Sequence, residues 1–215
     1  MEPHREKMKK PTKLLLLCFS GKRRAGKDAS AILIKDQFHD HPNVQVTNNS
    51  IGYLPKQQYA EEKGVDLHKI LNDVKFKEIH RQGIIDISLQ KRKENSWYWV
   101  TKCFNSMIQQ LKSSNEELLN VVCIPDIRFC SELEYLTSQK VENFDINVRK
   151  IRIEASDQIR KQRGWVFNEE IDKGSSETEL DGYLDWDFVV ENNTNSFDNL
   201  QSQLQPIIEC ISKSK

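Results

Sequence analysis

The residues best suited to chemistry form a basic loop near the start of the chain. Gly21-Lys22-Arg23-Arg24-Ala25-Gly26-Lys27 matches the G-x-x-x-x-G-K pattern of phosphate-binding loops. The backbone N–H groups of such a loop, together with the N-terminus of the following helix, hold phosphate oxygens. Gly21 permits the tight turn, Gly26 lets the backbone approach the phosphates, and Lys27 reaches the β- and γ-phosphates. The loop therefore predicts a nucleotide site.

Asp28 follows the loop lysine, at the position where Ser or Thr normally offers a hydroxyl to Mg²⁺. A carboxylate there either approaches bound Mg²⁺, directly or through water, or stabilises the helix N-terminus through the helix dipole. The residue type leaves both roles open. Lys22, Arg23 and Arg24 add a density of positive charge that suits a reaction in which donor and acceptor both carry phosphates.

The elements around the loop predict a parallel α/β sheet. Residues 14–19 and 118–124 are apolar runs without alternation, the pattern of strands buried on both faces. Weaker strands are predicted at residues 44–50, 147–153 and 186–190. Helices are predicted at residues 29–38, 53–72 (with a break at Gly64), 74–93, 97–111, 130–139, 156–162 and 197–211, and an acidic loop at 167–182. Strands that alternate with helices favour a parallel sheet with helices on both sides.

Composition narrows the kind of protein. The chain has 215 residues, 37% of them hydrophobic and 30% charged, with a formal net charge of +0. Local basic clusters on a neutral chain suit a small polyanion, so we expect no nucleic-acid or membrane partner. Five cysteines without a C-x-x-C pair indicate a reducing compartment. With no secretory signal and no apolar run near the roughly 18 residues of a membrane span, we expect a cytosolic protein. We also expect it to be a monomer.

The motifs closely resemble those of animal-type phosphomevalonate kinases, which also carry Asp after the loop lysine. The likeness runs from about Leu14 to the C-terminus. Besides the loop, it rests on Lys56-Gln57-Gln58-Tyr59-Ala60, Phe76-Lys77-Glu78, Pro125-Asp126-Ile127-Arg128, the Arg-x-x-Arg-Gly-Trp-Val-Phe run at 160–167, and residues 185–192. The resemblance implies a P-loop NTPase fold of the nucleoside-monophosphate-kinase type: a parallel five-stranded sheet flanked by helices, with a short mobile lid.

The resemblance also implies an organisation and a reaction. Residues 1–13 are expected to be a basic, flexible N-terminus. Residues 14–215 are expected to be one P-loop kinase domain, with acceptor-binding helices at about 53–111 and a lid at about 155–182. The family uses Mg²⁺ and transfers the γ-phosphoryl group of ATP to mevalonate 5-phosphate, giving mevalonate 5-diphosphate and ADP in isoprenoid precursor synthesis. Positioning and charge neutralisation carry such a transfer.

Matching positions imply the site residues. ATP-binding roles fall to Gly21, Lys22, Arg23, Arg24, Ala25, Gly26, Lys27, Asp28, Arg160 and Asn192. Catalytic roles fall to Lys22, Lys27, Asp28 and Arg128, with Asp28 also a metal ligand through Mg²⁺. Acceptor-binding roles fall to Lys77, Arg81, Asp126, Arg128, Arg152 and Arg163. The residue types alone also allow Asp126 to cap the next helix and Lys77 and Arg81 to form a solvated helix face.

Several basic positions of the family are missing from this sequence. The differences fall near Ser50, Asp86, Thr101 and Phe129. Losing an arginine from a desolvated bidentate contact costs on the order of 1.5–3 kcal/mol. Local misalignment, compensation by residues such as Lys91 and Arg92, and a changed acceptor each explain the pattern. A protein that binds nucleotide without transferring phosphate is a further alternative.

Overall fold

A computed structural model describes residues 10–112 and 117–214, and its centre is a parallel sheet of five strands. The strands are β1 (Thr12–Ser20), β2 (Val44–Asn48), β3 (Leu119–Ile124), β4 (Phe144–Glu154) and β5 (Phe188–Glu191). The helices are α1 (Lys27–Gln37), α2 (Tyr53–Lys63), α3 (Leu67–Asn72), α4 (Val74–Glu94), α5 (Tyr98–Leu111), α6 (Cys130–Ser138), α7 (Asp157–Gln162), α8 (Glu169–Asp172), α9 (Ser175–Thr178) and α10 (Phe197–Lys213). The strand order is β2-β3-β1-β4-β5, and each neighbouring pair is parallel. The predicted five-stranded parallel sheet is confirmed.

Strand β1 lies at the centre of the sheet and is buried on both faces. Leu15 and Leu17 belong to a core that also contains residues of α1 and α10. Leu14 and Leu16 belong to a second core, which contains residues of α5 and α6. Because successive strand side chains point to opposite faces, a strand covered on both sides carries no polar alternation. The uninterrupted leucine run therefore has a direct structural cause.

The loops that can form a site leave the sheet at one edge. Parallel strands place their carboxyl ends together, and ligands of open α/β sheets bind just outside those ends. Here the loops after β1, β2, β3 and β5 meet at that edge. Helices α2, α3 and α4 pack beside it around a small core of Tyr59, Ala60, Ile70 and Ile84. The basic loop after β1 therefore lies opposite a separate group of helices, which consists of α2, α3 and α4.

Several predicted boundaries need correction, including the start of β4, which lies at Phe144 rather than at residue 147. Residues 167–182 are not a plain loop, because they contain the one-turn helices α8 and α9. The side chain of Asn168 accepts a hydrogen bond from the N–H of Ile171 and caps α8. Helices this short show no periodic pattern in sequence. Strand β1 also begins slightly earlier than expected, at Thr12, while residues 1–9 of the predicted flexible N-terminus lie outside the described residues.

Three of the five cysteines pack in the two cores on either side of the sheet. Cys18, Cys103 and Cys123 are buried, and all five cysteines are free thiols. Burial raises the pKa of Cys103 and that of Cys123 to about 12, so both are protonated packing groups.

Within residues 10–112 and 117–214, no helix is both long and apolar enough to cross a membrane.

Candidate active site

The loop between β1 and α1 forms a cradle that depends on its two glycines. Gly21 and Gly26 have φ angles of 147° and 112°, a region that side chains rarely adopt. A Cβ atom at Gly21 would collide with the carbonyl oxygen of Ile153, and one at Gly26 with the side-chain amide of Asn192. The backbone can therefore pack this tightly only with glycine at both positions.

Lys27 lies over this loop as a desolvated cation. Its Nζ atom donates hydrogen bonds to the carbonyl oxygens of Gly21, at 2.6 Å, and Lys22, at 3.0 Å. Burial and the neighbouring Arg128 guanidinium lower the pKa of Lys27 to about 8, although Glu177 and Asp28 partly oppose this. No carboxylate of the described residues forms an ion pair with its ammonium group. An anion bound in the loop would supply the missing countercharge.

Asp28 is an exposed carboxylate in the first turn of α1. Its side chain makes no capping hydrogen bond, and within residues 10–112 and 117–214 it forms no ion pair. It borders the cleft above the loop together with Lys27, and its charge acts on Lys56 and Lys77 across that cleft. The carboxylate is therefore available to a cation, and it can also favour the helix N-terminus through the dipole.

A cleft of about 200 Å³ runs from Lys27 and Asp28 toward helices α2 and α4. Lys56 of α2 and Lys77 of α4 line it. Burial, followed by the charges of Lys56 and Arg81, lowers the pKa of Lys77 to about 8. Burial also lowers the pKa of Lys56, although Asp126 partly opposes the shift. Within the described part of the chain neither lysine donates a hydrogen bond or forms an ion pair, so this end of the cleft suits an anion.

Asp126 holds the turn that carries α2 into the cleft. Its carboxylate accepts hydrogen bonds from the hydroxyl of Ser50 (2.6 Å) and from the N–H groups of Ile51 (3.1 Å) and Gly52 (2.7 Å). It does not cap α6, whose N-cap residue is Phe129. Asp126 still borders the cleft, but most of its hydrogen-bonding capacity is used by the turn.

Arg128 joins the cleft to the acidic segment, which we define as residues 169–187. Its NH1 atom donates to the carbonyl oxygen of Ser176 at 3.0 Å and forms an ion pair with Glu177. The other carboxylate oxygen of Glu177 accepts the backbone N–H of Arg23 at 3.1 Å. A loop amide and an arginine are the donors that phosphate oxygens use. The buried Glu177 carboxylate therefore occupies donors that a bound phosphate would also need.

The acidic segment holds the remaining loop cations in the same way. Lys22 forms an ion pair with Asp181, and Arg23 forms one with Asp172 at 3.2 Å. Arg152, on β4, forms an ion pair with Asp181 at 3.1 Å. The predicted loop and strand cations thus gather around one group of carboxylates. Their positive charge is balanced within the chain in this conformation.

Arg160 and Arg163 contact the phosphate loop from its outer side. Arg160 Nε donates to the carbonyl oxygen of Arg23 at 2.8 Å. Arg163 donates to the carbonyl oxygen of Ala25 at 3.0 Å and to the side-chain oxygen of Asn192 at 2.9 Å. The amide of Asn192 donates to the same Ala25 carbonyl at 2.8 Å. The side chains of Arg160, Arg163 and Asn192 therefore fix the loop backbone, and Arg163 lies beside Asn192. By contrast, Lys77 and Arg81 line the cleft across from Lys27.

The positions that lack the family's arginines differ in their surroundings. Phe129 borders the cleft, and the guanidinium of Arg92 lies 3.9 Å from the centre of its ring. Asp86 is exposed and accepts a hydrogen bond from Gln82 at 2.9 Å, so its charge is directed to solvent. Lys91 pairs with Glu94 at 3.2 Å on the helix surface. Of the two suggested compensating residues, only Arg92 lines the cleft, while Thr101 lies on α5.

Some residues of the site are not singled out by the sequence. Lys56 stands in the Lys56–Ala60 run that resembles the family, so that motif could have identified it. Glu132 and Glu177 are buried acids, and nothing in their local sequence separates them from the exposed acids nearby. Their roles depend on partners far away in the chain, which only the fold brings together.

A phosphate loop between β1 and α1 of a parallel five-stranded sheet, facing basic helices across a cleft, defines a P-loop kinase fold. The chain belongs to the phosphomevalonate kinase family: the profile described as "Phosphomevalonate kinase" matches residues 19–143, more than half of the chain. A Phosphomevalonate kinase from Drosophila melanogaster is 24% identical over 179 residues, which cover 83% of this chain and 88% of that protein. The predicted family is confirmed, and the protein is a kinase.

Two solved kinase structures align with nearly the whole chain. A gluconokinase from Sinorhizobium meliloti 1021 has a TM-score of 0.46 and 12% identity, covering 95% of this chain and 98% of that chain. A shikimate kinase from Aquifex aeolicus vf5 has a TM-score of 0.43 and 10% identity, covering 93% of this chain and 99% of that chain.

The lowered pKa of Lys27 predicts pH-dependent nucleotide binding. The protonated ammonium binds phosphate, and in the ligand-free protein the pKa of this group is about 8. The affinity for ADP, measured by calorimetry, is therefore expected to fall about tenfold between roughly pH 7 and pH 9. Lys27→Arg keeps its charge throughout that range, so its profile should be flat. An equally steep profile in the arginine variant would show that another group causes the dependence.

Proposed function

We propose that the protein transfers the γ-phosphoryl group of ATP to mevalonate 5-phosphate, giving mevalonate 5-diphosphate and ADP. One observation carries the proposal: a single cleft holds the loop residues Lys27 and Asp28 at one end and the unpaired ammonium groups of Lys56 and Lys77 at the other. Two phosphates that must react repel each other, so their approach requires positive charge on both sides.

The donor side of the proposal rests on the phosphate loop. The backbone between Gly21 and Asp28 would hold the phosphate chain, and Lys27 would contact the transferring group. Lys22 and Arg23 would bind phosphate oxygens in place of Asp181 and Asp172, their present partners. Such an exchange keeps Lys22 and Arg23 paired with an anion, before and after the nucleotide binds.

The exposed carboxylate of Asp28 fits a Mg²⁺ ion. Mg²⁺ prefers carboxylate, phosphate and water oxygens. Asp28 borders the cleft and has no ion-pair partner among residues 10–112 and 117–214, so its oxygens are available. When bound, Mg²⁺ neutralises charge on the nucleotide phosphates. We therefore propose Asp28 as the residue that would hold it.

The reaction itself is a displacement at phosphorus. An oxygen of the acceptor phosphate forms a bond to the γ-phosphorus, the bond to the bridging oxygen breaks, and ADP leaves with that electron pair. Lys56 and Lys77 would hold the acceptor phosphate, and Arg81 lines the same cleft. Arg128 borders the cleft near Lys27, so it would contact the transferring group. Positioning and electrostatic stabilisation supply the rate.

The remaining wall of the cleft suits the other end of mevalonate 5-phosphate, which carries a methyl group and a carboxylate. Ile84, Leu89 and Trp99 form an apolar surface there. The guanidinium of Arg92 lines the same part of the cleft. We further propose that residues 155–182 act as a lid over a kinase domain of residues 14–215, since this segment already contacts the phosphate loop.

A related kinase with a different phosphorylated acceptor is the second candidate. It is favoured by Phe129, which places a ring rather than a guanidinium at the edge of the cleft. Such a protein would keep the loop and the two lysines and would differ in the group that faces Phe129.

ADP formation coupled to a reporter enzyme tests these candidates. ADP released from Mg·ATP only when mevalonate 5-phosphate is present would support the proposal. ADP released only with another phosphorylated hydroxy acid would support a changed acceptor. ADP binding in calorimetry without turnover on any acceptor would support the non-catalytic alternative. Lys35→Met, on the exposed side of α1, serves as a variant that should behave as the wild type.

A further inference from the structure

The guanidinium of Arg92 has an unusual environment at the edge of the cleft. It reaches there from the last turns of α4 and stacks on Phe129, with 3.9 Å between its carbon and the ring centre. Its NH1 atom donates to the carbonyl oxygen of Ser96 at 3.2 Å. The stacking and this hydrogen bond restrict the plane of the guanidinium. Arg92 therefore places a positive charge at this edge of the cleft, although residue 129 itself is a phenylalanine.

Glu132 completes the support of Arg92. It is 1% exposed, and one of its carboxylate oxygens forms an ion pair with Arg92 NH2. The other oxygen accepts the backbone N–H groups of Arg128, at 2.7 Å, and Phe129, at 3.1 Å. One buried carboxylate thus ties the arginine of α4 to the backbone that carries both Arg128 and the stacking ring.

One donor of Arg92 is left without an acceptor. Its Nε atom is buried and has no hydrogen-bond partner among residues 10–112 and 117–214. Buried donors are normally satisfied. Arg92 lines the same cleft as Lys56 and Lys77, which would take the acceptor phosphate. The unsatisfied Nε–H of a side chain that lines the cleft therefore indicates a hydrogen-bond acceptor supplied by a ligand.

We infer that Glu132 is a positioning residue, which holds Arg92 flat on Phe129 so that the guanidinium binds the anionic group of the acceptor remote from the transferring phosphate. The inference rests on the proposed function for the identity of that acceptor. The contact with Arg92 does not depend on which anion the acceptor carries, since a carboxylate and a second phosphate accept hydrogen bonds from a guanidinium equally well. Glu132 itself touches no reacting atom.

The simpler role of Glu132 is helix capping. It occupies the third position of α6, and a Glu or Gln there often accepts the N–H of the N-cap residue. That role needs one side-chain oxygen and explains neither the ion pair with Arg92 nor the burial. Glu132→Gln keeps an oxygen for the cap and removes the charge that orients Arg92. The variant therefore separates the two roles.

Kinetics provide the first test. Glu132→Gln is expected to raise KM for mevalonate 5-phosphate at least tenfold and to change KM for ATP less than twofold. Arg92→Gln should have the same signature, and the double variant should be no worse than Arg92→Gln alone, because both changes remove one interaction. Glu134→Gln, an exposed acid on the same helix, is the matched control. Equal changes in both KM values, or additive effects in the double variant, would overturn the inference.

A spectroscopic test does not depend on the proposed acceptor. In ADP-saturated protein titrated with inorganic phosphate, the Arg92 Nε–H cross-peak, assigned from its loss in Arg92→Lys, is expected to shift in the wild type and not in Glu132→Gln. A shift without turnover of mevalonate 5-phosphate would reject the proposed acceptor and retain the inference. A wild-type peak that does not move with phosphate would reject the inference itself.

Discussion

Lys27→Met is expected to lower kcat for phosphoryl transfer by roughly 10³-fold or more. The Nζ atom lies over the loop on the carbonyl oxygens of Gly21 and Lys22 and has no carboxylate partner among the described residues. In this desolvated position its charge acts on a phosphate with little screening. Methionine has a similar length and fills the same space without the charge. Steady-state ADP release with saturating ATP and acceptor measures the loss.

The folded structure should survive this substitution. The pKa of Lys27 is lowered to about 8, which means that burial disfavours the charged form in the folded protein. Removing the charge relieves that cost at pH values below about 8, so the thermal midpoint near neutral pH should be unchanged or higher. Lys35→Met on the same helix controls for the general effect of losing a lysine. Activity within tenfold of the wild type would contradict the assigned role.

The phosphate loop and the sheet could be predicted because their determinants are local. Gly21, Gly26 and Lys27 sit within one short motif, and the strand before them is a single apolar run. A strand buried on both faces leaves a direct pattern in sequence. The helices α8 and α9 were not predicted, because a helix of a single turn is too short to show a periodic hydrophobic pattern. What the sequence predicts well is therefore what a few consecutive residues determine.

The balance of charge around the loop could not be predicted in this way. Glu177 meets Arg23 and Arg128 across long separations in the chain, and its local sequence resembles that of neighbouring exposed acids. Arg163 was expected at the acceptor, and the fold instead places it on the loop carbonyls beside Asn192. Matching a basic residue to a family position indicates that charge is needed there, but its partner is settled only by packing.

The acceptor side of the cleft likewise depends on contacts between residues that are far apart in the sequence. A carboxylate in the cleft would repel an anionic substrate, but Asp86 is exposed to solvent and accepts a hydrogen bond from Gln82. Ser50 lacks a charge but holds Asp126, and that contact fixes the turn before Lys56. The cations of this end therefore come from α2 and α4. Their arrangement follows from helix packing beside the sheet, which sequence comparison alone does not describe.

Arg128→Gln is expected to lower kcat by roughly 10²–10³-fold, with smaller changes in either KM. Arg128 borders the cleft beside Lys27 and carries the charge that faces the loop from the β3 side. An arginine at this place stabilises charge that develops during transfer, so its loss should affect kcat more than binding. Rapid-quench measurement of a single turnover separates the chemical step from product release. Arg149→Gln, away from the cleft on β4, is the control.

Loss of stability complicates a simple interpretation of this variant, and Glu177 resolves it. Removing Arg128 leaves the Glu177 carboxylate, 3% exposed, without its ion-pair partner. Breaking a buried pair costs about 3–5 kcal/mol, and the partial exposure of Arg128 puts the cost here near the lower end. The double variant Arg128→Gln/Glu177→Gln should regain thermal stability while kcat stays low. If kcat recovers together with stability, Arg128 serves the fold rather than the reaction. If only stability recovers, the guanidinium is needed for transfer, and Glu177 is the group that holds it until phosphate takes its place.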